Sequence, residues 1–412
     1  MKVNSARLWA DFDKLGEFGR EPKGGISRPA YSPMDIAARQ WFAERASEAG
    51  LPVTIDALQN VIVGDPTVQP AVWAGSHLDT VPNGGMYDGA VGAIAALECL
   101  RRIREEDVQL ARPVRAVAFA DEEGTFHGNL GSKAIARGFS EENLDGIFNS
   151  GGQSLIKALR EAGSDLSSIT NVSLPDDAMH CFLELHIEQG PVLEAADTTI
   201  GIVTHIAGVN RGELRFDGRA DHAGTTPMNL RKDALRGAAA FLDRMPGLPD
   251  AAGLANAVVT CGRLTLQPGA ENVVPATAIA NLDFRDVTPE GLDRLEEMII
   301  SEARACASLH DLKVEYRRTS RIPPVDLNGH LSDSIENAAT RLGLASRRLL
   351  SGAGHDAQVM AELAPAGMIF VPSHKGRSHS PWEYTAWKDV EHGANVLLET
   401  LLEVAGVDTL MG

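Results

Sequence analysis

Four cysteines in 412 residues, none in a CxxC spacing, leave little scope for thiol chemistry. Cys99, Cys181, Cys261 and Cys306 each stand in an apolar context, which reads as four buried free thiols in a reducing cytoplasm. No apolar run approaches the roughly 18 residues that a membrane span requires, so a transmembrane segment is excluded. The opening MKVNSARLWADFDKLGEFG is charged and amphipathic and lacks the apolar stretch of a secretory signal. Neither GxGxxG nor GxxxxGK[ST] occurs at a strand-to-helix turn, which argues against a nucleotide-binding enzyme. Positive charge is scarce: 38 Lys and Arg face 56 Asp and Glu, for a formal charge of −18. Such a surface repels nucleic acid phosphates and anionic lipid, and both are excluded as partners. An anionic small molecule is still admissible, because local arginines can override the overall field.

The length and an ordinary composition, 44% hydrophobic and 23% charged, predict a globular protein of two domains. SPMD sets Ser32 as N-cap and Pro33 at the first turn of a helix that Gly50 stops. From Ala71 strands and helices alternate, which predicts an α/β domain with a mixed, mostly parallel sheet flanked by helices. Near residue 210 the pattern changes to β-α-β-β-α-β: strands at 212–217, 257–266, 276–285 and 312–316, with helices at 229–245 and 289–307. That order predicts a ferredoxin-like α+β domain over 210–326, inserted between 1–209 and 327–412.

Three distant segments end probable strands on side chains that bind metal. AVWAGSHLDT delivers His77 and Asp79, with Asp88 in the Gly-rich PNGGMYDG loop beyond. VRAVAFADEEG ends in Glu122 and Glu123, and CFLELHIEQG carries His186. His379 adds a further imidazole in GRSHSPWE. Apolar strands that present such residues at their carboxyl ends build the sites of open α/β sheets. His77 and Asp79 alternate along an extended chain, and a carboxylate there commonly accepts the second ring N–H of a metal-bound His. Glu122 and Glu123 point in opposite directions at a strand end, so one can bind metal while the other faces water. Metal-assisted amide hydrolysis needs that division of labour. Alone, each motif also fits a structural histidine, an acidic turn or a half-exposed strand. Together His77, Asp88, His186, His379 and one glutamate are too many ligands for one catalytic metal and suit two, roughly 3.5–4 Å apart.

GSHLDTVPNGGMYDG, ADEEG, ELHIEQGPVLE, GRADHAGTTPM, GAGHDA and SHSPWE resemble the hydantoinase/carbamoylase branch of the aminoacylase and carboxypeptidase-G-like di-metal amidohydrolases. That branch includes N-carbamoyl-L-amino acid hydrolases and allantoate amidohydrolases. The resemblance implies His77, Asp88 and His186 on one metal, and Asp88, Glu123 and His379 on the other, with Glu122 as general base and Asp79 behind His77. It implies two divalent ions per subunit, zinc first, with manganese, cobalt or nickel as alternatives. It makes the inserted domain a lid and a homodimer contact. There His222 resembles the residue that steadies the developing oxyanion in a neighbouring subunit, and Asn272 and Arg285 those that hold a substrate carboxylate. Gln189 and His355 are further candidates for contact with substrate. The implied reaction is hydrolysis of a linear amide in an N-carbamoyl or ureido carboxylate. An N-acyl-L-amino acid hydrolase or small dipeptidase is the alternative, and a catalytically silent binding protein would lack one of the five ligands. One departure stands out: many members read EEGxRF, whereas this chain reads EEGTFHG, with Phe126 and His127 and no Arg.

Overall fold

The strand Ala71–His77 is buried along its whole length, and so are Val114–Phe119 and Ala366–Val371. Strands this apolar need cover on both faces, which is the condition of a parallel sheet inside an α/β layer structure. The computed structural model describes residues 1–406 and divides them into two compact units. The first comprises Met1–Thr204 and the described residues from Leu327 onward; the second is His205–Asp326.

In the first unit Val114–Phe119, Ala71–His77, Met179–Ile187 and Ala366–Val371 lie side by side in that order, all parallel. Antiparallel strands flank them: Val61–Val63 and Val53–Ile55 on one side, Ile200–Ile206 on the other. Side chains alternate between the two faces. Val72, Ala74, Ala116, Ala118, Leu183, Leu185, Ile369 and Val371 join one core with the helices Ala90–Glu105 and Trp387–Ala405. Trp73, Phe182, Glu184, His186 and Phe370 occupy the alternate positions. Gly75 and Gly92 permit close approach: a Cβ on Gly75 would fall 2.0 Å from Val117 O, and one on Gly92 2.2 Å from Leu185 O. The helix Pro33–Glu48 forms as the SPMD signal predicts, with the Ser32 hydroxyl accepting from Asp35 N.

Two arginines are fully buried beneath the strand ends. Arg39 pairs with Asp35 and donates to the carbonyls of Gln59, Ala118 and Phe119. Arg28 donates to the carbonyls of Leu15, Phe18 and Leu78. A guanidinium that donates to several carbonyls is the form in which a buried charge is tolerated.

The second unit has a four-stranded antiparallel sheet in the order Lys313–Ile322, Gly208–Asp217, Thr277–Asp286, Val258–Gln267. The helices Ala234–Arg244 and Pro289–Leu309 share a core with Leu214, Phe216, Ala280, Leu282 and Phe284. Chain order and strand order together make it ferredoxin-like.

Several details differ from expectation. This unit starts at His205 rather than residue 210, and its first strand already includes Gly208 and Val209. Its first helix begins at Ala234, where Asp233 caps it. Its last strand runs on to Ile322, paired on both sides of a register shift between Arg318 and Ser320 although its side chains there are mostly polar. Ser346–Ser351, unannounced by any apolar alternation, adds a strand beside Ile200–Ile206. All four thiols are free, but Cys261 is only half-buried, because its strand lies at a sheet edge. Among the described residues no helix is long and apolar enough to cross a membrane.

Candidate metal centre

The carboxyl ends of the parallel strands bring His77, Asp88, Glu123, His186 and His379 together. Among the described residues, His77, Asp88 and His186 form one group of convergent ligand atoms, and Asp88, Glu123 and His379 another. Asp88 is common to both and faces each with a different oxygen. Its Oδ1 lies 3.1 Å from His186 Nε2 and 3.5 Å from His77 Nε2, and its Oδ2 lies 3.3 Å from His379 Nε2. Glu123 Oε2 is 3.4 Å from His379 Nε2. Two further groups converge nearby, His77 with Glu122 and Glu123, and Glu184 with His186 and His355.

The ring nitrogens show whether cations fit. His77 Nδ1 is 3.0 Å from the carbonyl of Asp79, and His186 Nδ1 is 2.9 Å from the carbonyl of Ile187. A carbonyl only accepts, so Nδ1 carries the proton in both rings. With Nδ1 so engaged, each ring turns Nε2 toward the carboxylate of Asp88, and a cation between them would be held by the Nε2 lone pairs of the deprotonated rings. Burial lowers the pKa of both rings, but the surrounding carboxylates outweigh it and the net shift is upward. Burial followed by repulsion from Asp88 pushes Glu123 and Glu383 up to about 7. A set of nitrogen and carboxylate donors without thiolate suits divalent zinc, manganese, cobalt or nickel.

Local backbone explains the approach. Gly89 has φ +63°, and a Cβ there would lie 2.3 Å from His77 Nε2. Gly85 likewise leaves room for Glu383, whose Oε1 accepts from Tyr87 N and Asp88 N at 2.8 and 3.0 Å. Ser378 Oγ lies 2.8 Å from both Asp88 Oδ2 and Glu383 Oε2. Ser378 and Glu383 therefore orient the shared aspartate, a role no spacing in the sequence announces. Partners of this kind govern affinity for metal. Ser378→Ala is expected to weaken metal binding by about tenfold or more, as isothermal titration with zinc or manganese can measure.

Two of the expected residues make contacts that residue type and spacing do not announce. Asp79 touches the His77 ring through its backbone carbonyl, and its carboxylate instead accepts from Glu122 N at 3.4 Å and Glu123 N at 3.1 Å. Arg39 Nη2 supports it from below at 3.5 Å. Asp79 thus fixes the turn that carries both glutamates, since the ring proton is already satisfied by the nearer carbonyl. His355 is buried and stacks edge-on against His186 with ring centroids 4.6 Å apart, its Nε2 2.8 Å from Ser351 Oγ. Its contact is thus with a ligand residue. Gln189 donates from Nε2 to Asp88 Oδ2 at 2.8 Å, while its Oε1 is buried without a partner among the described residues. Glu188 lies outside the centre and caps the turn at Val192–Ala195 through Val192 N and Leu193 N.

Glu122 belongs to neither group that shares Asp88. Its Oε1 accepts from Asn129 Nδ2 at 3.0 Å, and its Oε2 lies 3.6 Å from His77 Nε2. Only 12% of its side chain is exposed, and burial holds its pKa well above the ordinary carboxylate value.

In the second unit the loops of His222 and Asn272 are joined. His222 bridges to Val273, and Ala223 N donates to Asn272 O at 3.0 Å. His222 is exposed, with Nδ1 accepting from Gly224 N. Arg285 lies on the strand Thr277–Asp286 and pairs with Asp283 at 2.8 Å.

Comparisons with known proteins show the family. The model of peptidase family M20/M25/M40 matches residues 73–403. The chain is 36% identical to an N-carbamoyl-L-amino acid amidohydrolase of Geobacillus stearothermophilus, over 98% of this chain and 99% of that protein. It is 32% identical to an allantoate amidohydrolase of Bacillus subtilis, over 95% of each. A crystal structure of a hydantoinase/carbamoylase family amidase from Burkholderia ambifaria superposes with a TM-score of 0.89 at 30% identity, covering 99% of both chains. On these matches over nearly its whole length, the chain belongs to peptidase family M20/M25/M40, in the hydantoinase/carbamoylase branch.

Proposed function

We propose that the protein hydrolyses a linear carbon–nitrogen amide bond in an N-carbamoyl amino acid or an allantoate-like ureido carboxylate. One observation carries the reading: a single aspartate, Asp88, joins two groups of metal ligands while the neighbouring Glu122 stays outside both. The relatives, amidohydrolases of N-carbamoyl-L-amino acids and of allantoate, support the choice of bond. His77, Asp88 and His186 would hold one divalent ion, and Asp88, Glu123 and His379 the other. A bound pair supplies Lewis acidity, polarising the scissile carbonyl and lowering the pKa of water.

The rest is work for the chain's own side chains. Glu122 takes a proton from the attacking water on Oε2 and passes it to the leaving nitrogen. Asn129 holds the other oxygen, so the carboxylate keeps one orientation. Asp79, backed by Arg39, fixes the turn on which Glu122 and Glu123 stand. Gln189, whose amide oxygen lacks a partner among the described residues, turns to the substrate. In the inserted domain, Asn272 and Arg285 anchor the substrate carboxylate, Arg285 exchanging part of its pairing with Asp283. His222, exposed on a braced loop, donates to the developing oxyanion as that domain closes over a homodimer partner's site. Free, mostly buried cysteines fit a cytoplasmic setting.

Ammonia release tests the reading. Enzyme loaded with zinc, manganese, cobalt or nickel is expected to liberate ammonia from N-carbamoyl amino acids or allantoate and to leave N-acetyl amino acids and dipeptides largely intact. Faster cleavage of the acyl substrates would replace the carbamoyl reading with an aminoacylase.

A further inference from the structure

We infer that a groove beside Glu123 receives the substrate's side chain and selects an apolar one, aromatic or branched aliphatic. The inference rests on the proposed amidohydrolase reading and deepens it. A cavity of about 530 Å³ opens next to Glu123, walled by Thr80, Val81, Pro82, Thr125, Phe126 and Phe148. A second, of about 540 Å³, shares Pro29, Thr125, Phe126 and Asn149 with it, so the two share a wall. The groove therefore starts at a proposed metal ligand and leads away along the first unit.

What the walls offer is decided by where their polar atoms point. Thr80 Oγ1 accepts from Arg28 N at 3.0 Å and lies 3.3 Å from Ile26 O. Thr125 Oγ1 accepts from Ala30 N at 3.1 Å. Asn149 Oδ1 accepts from Gly151 N and Gln153 N, each at 3.0 Å. These three groups are committed to neighbouring backbone. Among the described residues, Glu123 is the one charged side chain lining the cavity beside it, and the exposed Ser150 is its one further polar side chain. A ureido arm or a second carboxylate placed here would give up water and find few replacements, whereas an apolar group gives up nothing.

The aromatic walls differ in purpose. Phe126 is braced edge-on against Tyr31, with ring centroids 5.8 Å apart, and its backbone N–H donates to Asp121 at 3.1 Å. It forms a fixed wall. Phe148 is 57% exposed. A phenyl ring left in water at the rim of a groove is surface that a ligand can cover. Both rings stand in the first unit, together with the ligands that flank them.

The test measures kcat/KM of the metal-loaded enzyme for N-carbamoylglycine, N-carbamoyl-L-leucine, N-carbamoyl-L-phenylalanine and allantoate. The leucine and phenylalanine substrates are expected to exceed the glycine substrate by about tenfold or more, the scale on which an apolar pocket rewards added methylenes. Phe148→Ala is expected to shrink that ratio several-fold, and Phe148→Asp to shrink it further. Because Phe148 is exposed, both variants keep the fold, which thermal melting verifies. A ratio near one, a ratio unmoved by both variants, or a preference for allantoate overturns the groove assignment and leaves the amidohydrolase reading standing. If none of the four is turned over, that reading falls and the groove assignment with it.

Discussion

Glu122→Gln is expected to lower kcat by about three orders of magnitude, a loss of about 4 kcal/mol of transition-state stabilisation. The substitution keeps size and shape but removes the carboxylate proposed to accept the water proton. The amide oxygen can still accept from Asn129 Nδ2, as Glu122 Oε1 does. Metal content is expected to stay at two ions per chain by elemental analysis, since Glu122 lies outside both groups that share Asp88. That pairing of outcomes is the diagnostic part. Glu122 also converges with His77 and Glu123, so loss of an ion in this variant would assign Glu122 as a ligand. Activity within tenfold of the parent would place the general base elsewhere.

Asp88→Ala is expected to abolish activity and to empty both sites together, whereas His379→Ala removes one. The reason is geometric: Asp88 Oδ1 serves the His77 and His186 side, and Oδ2 serves the His379 side. Elemental analysis after dialysis against buffered metal counts the ions. Thermal melting gives an independent reading. A single ion at a thousand times its dissociation constant stabilises the folded state by about 4 kcal/mol. Added metal should therefore raise the melting temperature of the parent by several degrees and leave that of Asp88→Ala in place. A variant that retains one tightly bound ion would refute the shared aspartate.

Much of this candidate centre is legible in the amino-acid order because the convergent side chains are tied to local signals. Apolar runs mark the strands Ala71–His77, Val114–Phe119 and Met179–Ile187, and the chemically active residues follow where those runs stop. The helix over Pro33–Glu48 and the β-α-β-β-α-β order of the insertion are likewise written in short-range patterns. Where local signals are weak, the reading falls short. The strand Lys313–Ile322 extends past its apolar part because backbone pairing with Gly208–Asp217 requires no hydrophobic side chains.

The chain order alone established which side chains are available, that an α/β sheet presents them, and that a second domain interrupts it. Tertiary structure decided how they divide the labour. Asp79 has a carboxylate suited to His77, yet the fold turns it toward the backbone of Glu122 and Glu123 and lets its own carbonyl hold the ring. Ser378 and Glu383 support Asp88 across sequence separations of 290 and 295 residues. His355 is buried against His186, and Thr80, Thr125 and Asn149 commit side-chain oxygens to backbone N–H groups of remote or neighbouring segments. Periodicity and residue type follow from neighbours a few positions apart. The direction of a hydrogen bond depends on which partner from a remote segment arrives nearest, and that distance exists only after the strands have assembled.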